Sequence, residues 1–270
     1  MIEKYTEYEK PVSYICSPLF EKYGVRHMFT RRRGGVSKGA YESFNFASGS
    51  GVPADSFDNV VKNHALAASV FGMDVGDICR SYQTHSSKVR VVGAADRGTG
   101  IVSAPFPEGV DGLVCAEKGV LLSVRGADCA TVLLYDTKNG ICGACHSGWR
   151  GTVSKIAAVT VRRMCESGSA ASDIIAAIGP SARSCCYRVN EDVRTEFTEA
   201  DSEFARCFEE RDGFLYLDMQ GAIEQTLLRC GLKEENISDC GECTVCDSEN
   251  YFSHRRSGVL RGTMAAFITA

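Results

Sequence analysis

The stretch from Leu121 to Gly151 constrains the fold most, because three short apolar runs follow one another there and chemically able residues stand where they stop. The first run, Leu121-Leu122-Ser123-Val124, passes through Arg125-Gly126-Ala127 to Asp128 and Cys129. The second spans Thr131 to Tyr135 and is closed by a turn over Asp136 to Gly140. The third, Ile141-Cys142-Gly143-Ala144-Cys145, ends on His146 and continues as Ser147-Gly148-Trp149-Arg150-Gly151. Runs of this length, with β-branched residues and broken by Gly and Asp, read as strands of one buried sheet. A Cys and a His at neighbouring strand ends let a rigid sheet present metal ligands, or a nucleophile and its base, to a cleft.

Around this centre, strands and helices mix without a break in composition. Residues 1–20 read as a lead-in segment ending near Pro18, and Val25–Thr30 as a short strand. The strand runs into the basic, Gly-rich turn Arg31–Ser37, a solvated loop or an anion-binding one. Asp55 or Ser56 is placed to cap a helix running to about Phe71, stopped by Gly72. His85 follows Gln83-Thr84 and precedes an alternating strand, and Asp96–Glu108 is a Gly- and Pro-rich loop. Thr152 or Ser154 is expected to cap a helix to about Glu166, with its free N–H groups and Arg150 beside the ligand. A strand over Asp173–Ile178, a helix capped by Asn190, a strand over Phe214–Leu217, a helix over Met219–Cys230 and an apolar C-terminal strand complete the chain. No repeat or linker marks a boundary, so one α/β domain over residues 1–270, of the α+β type, is the simplest reading.

A formal net charge of −4 does not favour non-specific nucleic-acid binding. No run of 18 apolar residues suggests a membrane span. The first ten residues lack the apolar core of a signal peptide, so the expected location is the cytoplasm, where thiols stay reduced. The 14 cysteines then read as free thiols, mostly small buried hydrophobes, and metal ligands.

Three constellations stand out. Cys142-Gly143-Ala144-Cys145-His146 has the spacing of a c-type haem attachment site, which the strand context opposes. Cys240, Cys243 and Cys246 are spaced like three iron–sulfur ligands, but Glu249 and Asn250 stand where a fourth Cys would be, and neighbouring free thiols are the simpler reading. His85, Cys129 and His146 match no short zinc motif, yet two imidazoles and a thiolate suit a three-ligand zinc site with an open position. Without metal, the same residues suit a Cys nucleophile with a His base.

The chain resembles the YfiH/YlmD-like, laccase-domain family, also called multicopper polyphenol oxidoreductases. The resemblance rests on Thr30-Arg31 with Gly34-Gly35-Val36-Ser37, Phe44-Asn45, Gln83-Thr84-His85, Asp111-Gly112-Leu113 and Ala127-Asp128-Cys129. It continues through His146-Ser147-Gly148-Trp149-Arg150-Gly151, Ile178-Gly179-Pro180, Cys185-Cys186-Tyr187, and Phe252-Ser253 with Arg255-Arg256 and Arg261. It implies a mixed-sheet α/β sandwich, likened to the catalytic domain of cytotoxic necrotizing factors. It also implies one metal, usually zinc with copper as the alternative, on His85, Cys129 and His146.

The implied activity is purine nucleoside phosphorylase with adenosine deaminase activity, with purine nucleosides and phosphate as partners. Arg150 is then the candidate for phosphate and Asn45 for the nucleoside. Ser86, Ala130-Thr131 and Arg188 depart from the family pattern beside its motifs and bear on the pocket rim. The alternatives are copper-dependent polyphenol oxidation, which five histidines serve poorly, and a metal-free cysteine hydrolase using Cys129 and His146.

Overall fold

A computed structural model of the chain describes residues 1–5, 11–48 and 54–270. Among the described residues two six-stranded mixed sheets carry the architecture. The first runs in the order Ile2–Tyr5, Ser13–Cys16, His27–Thr30, Met264–Thr269, Leu121–Gly126, Ile78–Arg80. The second runs Ile237–Asp239, Ile174–Ile178, Ala130–Asp136, Cys142–Ser147, Gly112–Cys115, Val89–Val92. A small three-stranded sheet joins Arg188–Val189, Phe214–Leu217 and Phe208–Arg211.

The two large sheets pack face to face, and the period-2 alternation of their strands decides what lies between them. Leu122 and Val124 of one sheet meet Leu133, Ala144 and Ala177 of the other in a single buried cluster. The alternate residues face outward onto helices. Leu121, Ala265 and Phe267 pack with Ala67 and Ala68 of the helix Phe57–Val70. On the other side, Val132, Leu134 and Ala176 pack against residues of the helices Ile156–Glu166, Glu191–Ala200 and Met219–Arg229. The result is helix on sheet on sheet on helix. The central strands are buried on both faces, which is why they read as continuous apolar runs.

The helix Phe57–Val70 begins where the side chain of Ser56 accepts the Asn59 N–H at 3.1 Å, and it ends one residue before Gly72, whose φ is +61°. Of the two expected caps, Ser56 is the one used. Asp55 instead accepts hydrogen bonds from Asn45 and Asn59.

Three expectations need correction. The three central strands do not share one sheet: Leu121–Gly126 belongs to the first, and Ala130–Asp136 and Cys142–Ser147 belong to the second. Ala127-Asp128-Cys129 is the crossing between them. Asp128 takes a left-handed φ of +87°, and a Cβ on Gly126 would stand 2.5 Å from the Cys129 carbonyl oxygen, too close for any side chain.

The helix expected after Gly151 starts earlier and is broken. One turn, Trp149–Val153, begins at Gly148, and Lys155 with φ +55° separates it from Ile156–Glu166. The lead-in segment, of which residues 6–10 lie outside the described residues, contains two strands of the first sheet and the short helix Pro18–Lys22.

Leu133 is fully buried between the two sheets. Leu133→Ala is expected to lower unfolding stability by about 2–5 kcal/mol, the usual cost of a truncated core leucine. Urea denaturation monitored through Trp149 fluorescence measures it.

Candidate metal and substrate site

The crossing Ala127–Cys129 brings Cys129 opposite two histidines from other elements. His85 stands in the loop between Ile78–Arg80 and Val89–Val92, and His146 lies near the end of Cys142–Ser147. The Cys129 Sγ and one ring nitrogen of each histidine lie within 4.8 Å of one another, and Sγ is 4.0 Å from His85 Nε2. The two imidazoles meet edge to face with centroids 4.9 Å apart. Gly148 closes the back of the cluster. A Cβ there would lie 2.8 Å from Cys129 Sγ and 3.1 Å from His85 Cδ2, so the motif needs glycine at this position.

One carboxylate organises the three. Asp111 is fully buried and accepts the N–H groups of Thr84, His85 and Ser86 at 2.8–3.0 Å, together with the Ser86 hydroxyl at 2.7 Å. It also holds His146 Nδ1 at 2.9 Å, while its own carbonyl accepts the His146 N–H at 2.8 Å. His85 has a left-handed φ of +60°, uncommon for a residue with a side chain, and the carboxylate spanning three successive N–H groups holds it there. Gln83 fastens the same loop from the other side. Its amide pairs with both the N–H and the carbonyl of Arg125 at 2.8 and 2.7 Å, extending the strand that leads into Cys129.

Burial alone would raise the Asp111 pKa. The His146 ring and the N–H groups of Ser86 and Thr84 outweigh it and keep the carboxylate charged, well below the usual range. Burial likewise opposes ionisation of Cys129, but the adjacent His146, with hydrogen bonds from His146 and His85, draws its pKa down to about 6. His146 moves the other way. Burial works against its charge, and the Cys129 thiolate and Asp111 raise its pKa to about 9. The cluster thus favours a thiolate at neutral pH.

A thiolate and two imidazoles, one oriented by a carboxylate behind it, are a donor set suited to zinc or another thiophilic divalent ion. The three residues expected to act together are therefore brought together and could hold one metal.

The cluster opens into a cavity of about 350 Å³. His85, Cys129, Trp149, Arg150, Tyr187, His254, Arg255 and Arg261 line it. Arg150 lies over Trp149 at 4.3 Å and Arg255 over Tyr187 at 5.2 Å. Among the described residues the buried Arg261 Nε lacks a hydrogen-bond partner, which leaves a donor for a ligand.

Asn45 is not brought here. It is fully buried and spends its amide on Ala47, Asp55 and the Thr263 N–H, so it fixes the chain just beyond Arg261 and does not line this cavity. Arg150 does face the cavity, but the helix it opens is a single turn, so an anion there would meet its guanidinium rather than a helix terminus. Tyr187, His254, Arg255 and Arg261 were not singled out as site residues from the sequence. The signal was the repeated appearance of Arg in motifs far from the central stretch. Asp128 is structural in this arrangement. Its carboxylate accepts from Thr244 Oγ1 at 2.7 Å, Ser253 Oγ at 3.1 Å and the Arg255 N–H at 2.6 Å, tying the C-terminal loop to Cys129's neighbour.

Comparison with known proteins places this geometry. The family model for multi-copper polyphenol oxidoreductase laccase matches residues 26–270. A protein named purine nucleoside phosphorylase from Deinococcus radiodurans is 37% identical over 244 residues, covering 90% of this chain and 88% of its own. Adenosine deaminase RL5, from an unknown prokaryotic organism, is 32% identical, covering 87% of this chain and 90% of its own. The chain spans only 57% of the length of the mouse relative, purine nucleoside phosphorylase LACC1, to which it is 33% identical.

Among solved structures, YfiH of Bacillus licheniformis superposes with a TM-score of 0.87 at 29% identity, covering 98% of both chains. YlmD of Geobacillus stearothermophilus does so with 0.85 at 30%, covering 99% of both. The α/β sandwich expected from the motifs is the fold of these neighbours, and the chain belongs to the multi-copper polyphenol oxidoreductase laccase family, in its YfiH/YlmD branch.

Proposed function

We propose that the chain is a zinc-dependent purine nucleoside phosphorylase, acting on adenosine, inosine, guanosine and methylthioadenosine, with adenosine deaminase activity. The observation that carries this reading is that the donor cluster His85, Cys129 and His146 opens, through His85 and Cys129, into a cavity lined by three guanidinium groups. The names of the similar proteins support both activities. The cavity volume falls in the roughly 300–1,000 Å³ range of small-molecule sites. Free thiols at all 14 cysteines fit a cytoplasmic setting.

Zinc held by His85, Cys129 and His146 would supply a Lewis-acid centre beside the cavity. The remaining work falls to the chain. Trp149 and Tyr187 offer aromatic walls to a purine ring, and each already carries a guanidinium over its face. Arg150, with Arg255 and Arg261, holds the phosphate dianion whose oxygen bonds to C1′ as the bond from C1′ to the base breaks. Asp111 fixes the ring of His146 and the loop of His85 so that neither donor must reorganise during turnover.

A second reading has a specific observation behind it. Cys129, His146 and Asp111 stand in the order of a nucleophile, its base and the orienting carboxylate, as in a metal-free cysteine hydrolase. Copper-dependent phenol oxidation lacks comparable support. His27 and His64 are buried, do not line the cavity, and hydrogen-bond to the carbonyls of Val25 and Val60.

Chromatography of the purified protein with inosine or adenosine, with and without phosphate, tests the first reading. Phosphate-dependent release of free base is expected, with loss of at least 100-fold in His146→Ala. Turnover of neither nucleoside by metal-loaded protein overturns it. Arg150→Ala is expected to raise the KM for phosphate by about tenfold or more, the cost of one charge-assisted hydrogen bond.

In chelator-treated protein, alkylation of Cys129 should rise through a midpoint near pH 6 and level off above it, because the thiolate is the reactive form. Removing the cation in His146→Ala should move that midpoint up, and each unit by which it then lies above pH 7 slows labelling at pH 7 by about tenfold. An amidase activity lost on that labelling would favour the hydrolase.

A further inference from the structure

Outside the cavity, four more cysteines meet. Cys185 and Cys186 sit in a tight turn after the strand Ile174–Ile178, in which the Cys186 and Tyr187 N–H groups both donate to the Arg183 carbonyl at 2.8 and 2.7 Å. Cys243 and Cys246 flank a second turn, in which the Asp247 N–H donates to the Cys243 carbonyl at 3.1 Å. The turns are stitched by a bridge between Ser181 and Cys243 and by the Thr244 N–H on the Ser181 carbonyl at 3.1 Å. The four sulfurs all lie within 4.8 Å of one another, with Cys246 Sγ 3.6 Å from Cys185 Sγ and 3.3 Å from Cys186 Sγ. Cys240 is not among them. It packs against the core between the sheets, and its sulfur accepts the Glu242 N–H.

We propose that Cys185, Cys186, Cys243 and Cys246 form a second, structural zinc site, independent of the His85, Cys129 and His146 cluster. Four thiolates around one zinc at about 2.3 Å place their sulfurs about 3.8 Å apart, close to the separations seen here. A Cys-x-x-Cys turn paired with two further cysteines on a fixed neighbouring turn is the ligand count of a closed tetrahedral site.

Backbone donors already face one of the sulfurs: the N–H groups of Arg183, Cys246 and Val245 point at Cys243 Sγ. Guanidinium groups serve both turns, with Arg256 donating to the carbonyls of Thr244 and Val245 and Arg211 to that of Ser184. A zinc with four thiolates carries net negative charge, which these cations offset. On binding, the thiols lose their protons to solvent and four zinc–sulfur bonds form, with no redox change.

The location gives the site its use. Tyr187, the residue after Cys186, lines the cavity. Thr244, between Cys243 and Cys246, holds the carboxylate of Asp128 beside Cys129. A metal joining the two turns fixes both walls of the pocket at once.

Metal analysis of the full-length protein tests this. Wild type loaded with excess zinc and desalted is expected to retain two equivalents per chain. Cys185→Ser with Cys246→Ser together should retain one, and Cys129→Ser should lose the other. Cobalt titration of metal-free wild type is the second readout and needs no variant. It should show two spectroscopically distinct sites, one with the intense thiolate-to-cobalt charge transfer of a tetrahedral all-sulfur site. That band should survive Cys129→Ser and vanish in the double variant.

Retention of no zinc by Cys129→Ser, or a cobalt spectrum with no all-sulfur component, overturns the proposal. So does a mass lower by two hydrogens in freshly purified, non-reduced protein with one equivalent of metal, which would make the cluster a disulfide.

Discussion

The carboxylate of Asp111 is the interaction on which the rest of the site depends. It is a buried charge, and a buried charge is tolerated only where donors surround it. Here the donors are the very groups that carry the chemistry: the backbone at His85, the ring of His146 and the hydroxyl of Ser86. One ionised oxygen pair thus sets the conformation of one loop and the orientation of an imidazole on another element. His146 and Cys129 raise and lower each other's pKa, and the Asp111 charge behind the imidazole adds to the hold on its proton.

A second constraint is the crossing from one sheet to the other. Two sheets packed face to face leave no gap between their apolar surfaces. A cavity can form only where the chain leaves that interface, at the strand ends. Ala127–Cys129 is such a place, and the residues that meet it come from positions as far apart in sequence as His85 and Arg261. The C-terminal loop reaches the crossing because Asp128 accepts three hydrogen bonds from it.

Much of this was legible in the sequence, and the reasons differ by element. The central strands announced themselves because burial on both faces makes them uniformly apolar. Ser56 and Gly72 bracketed a helix through local chemistry that no tertiary contact alters. The membership of Leu121–Gly126 in a different sheet was not legible, because an apolar run carries no record of which neighbour it pairs with. The early start of the helix at Trp149 was hidden by the glycines around it and by the left-handed turn at Lys155. His85, Cys129 and His146 came from motif resemblance rather than spacing, and geometry then united them. Asn45 stands outside the cavity because its amide satisfies buried backbone groups, a demand that sequence alone does not display. The cysteine group could not be assembled from spacing, since half of it lies some sixty residues upstream of the rest.

The strand Met264–Thr269 lies in the interior of the first sheet, between His27–Thr30 and Leu121–Gly126. It also follows every other strand of that sheet in chain order. Until it arrives, two earlier strands face each other across an empty lane, each with a row of unpaired backbone groups. The halves of that sheet therefore cannot close before this strand is made, and neither can the pocket wall that Arg261 supplies just upstream. A growing chain of this design stays without a complete site, and with exposed strand edges, until Met264–Thr269 is in place.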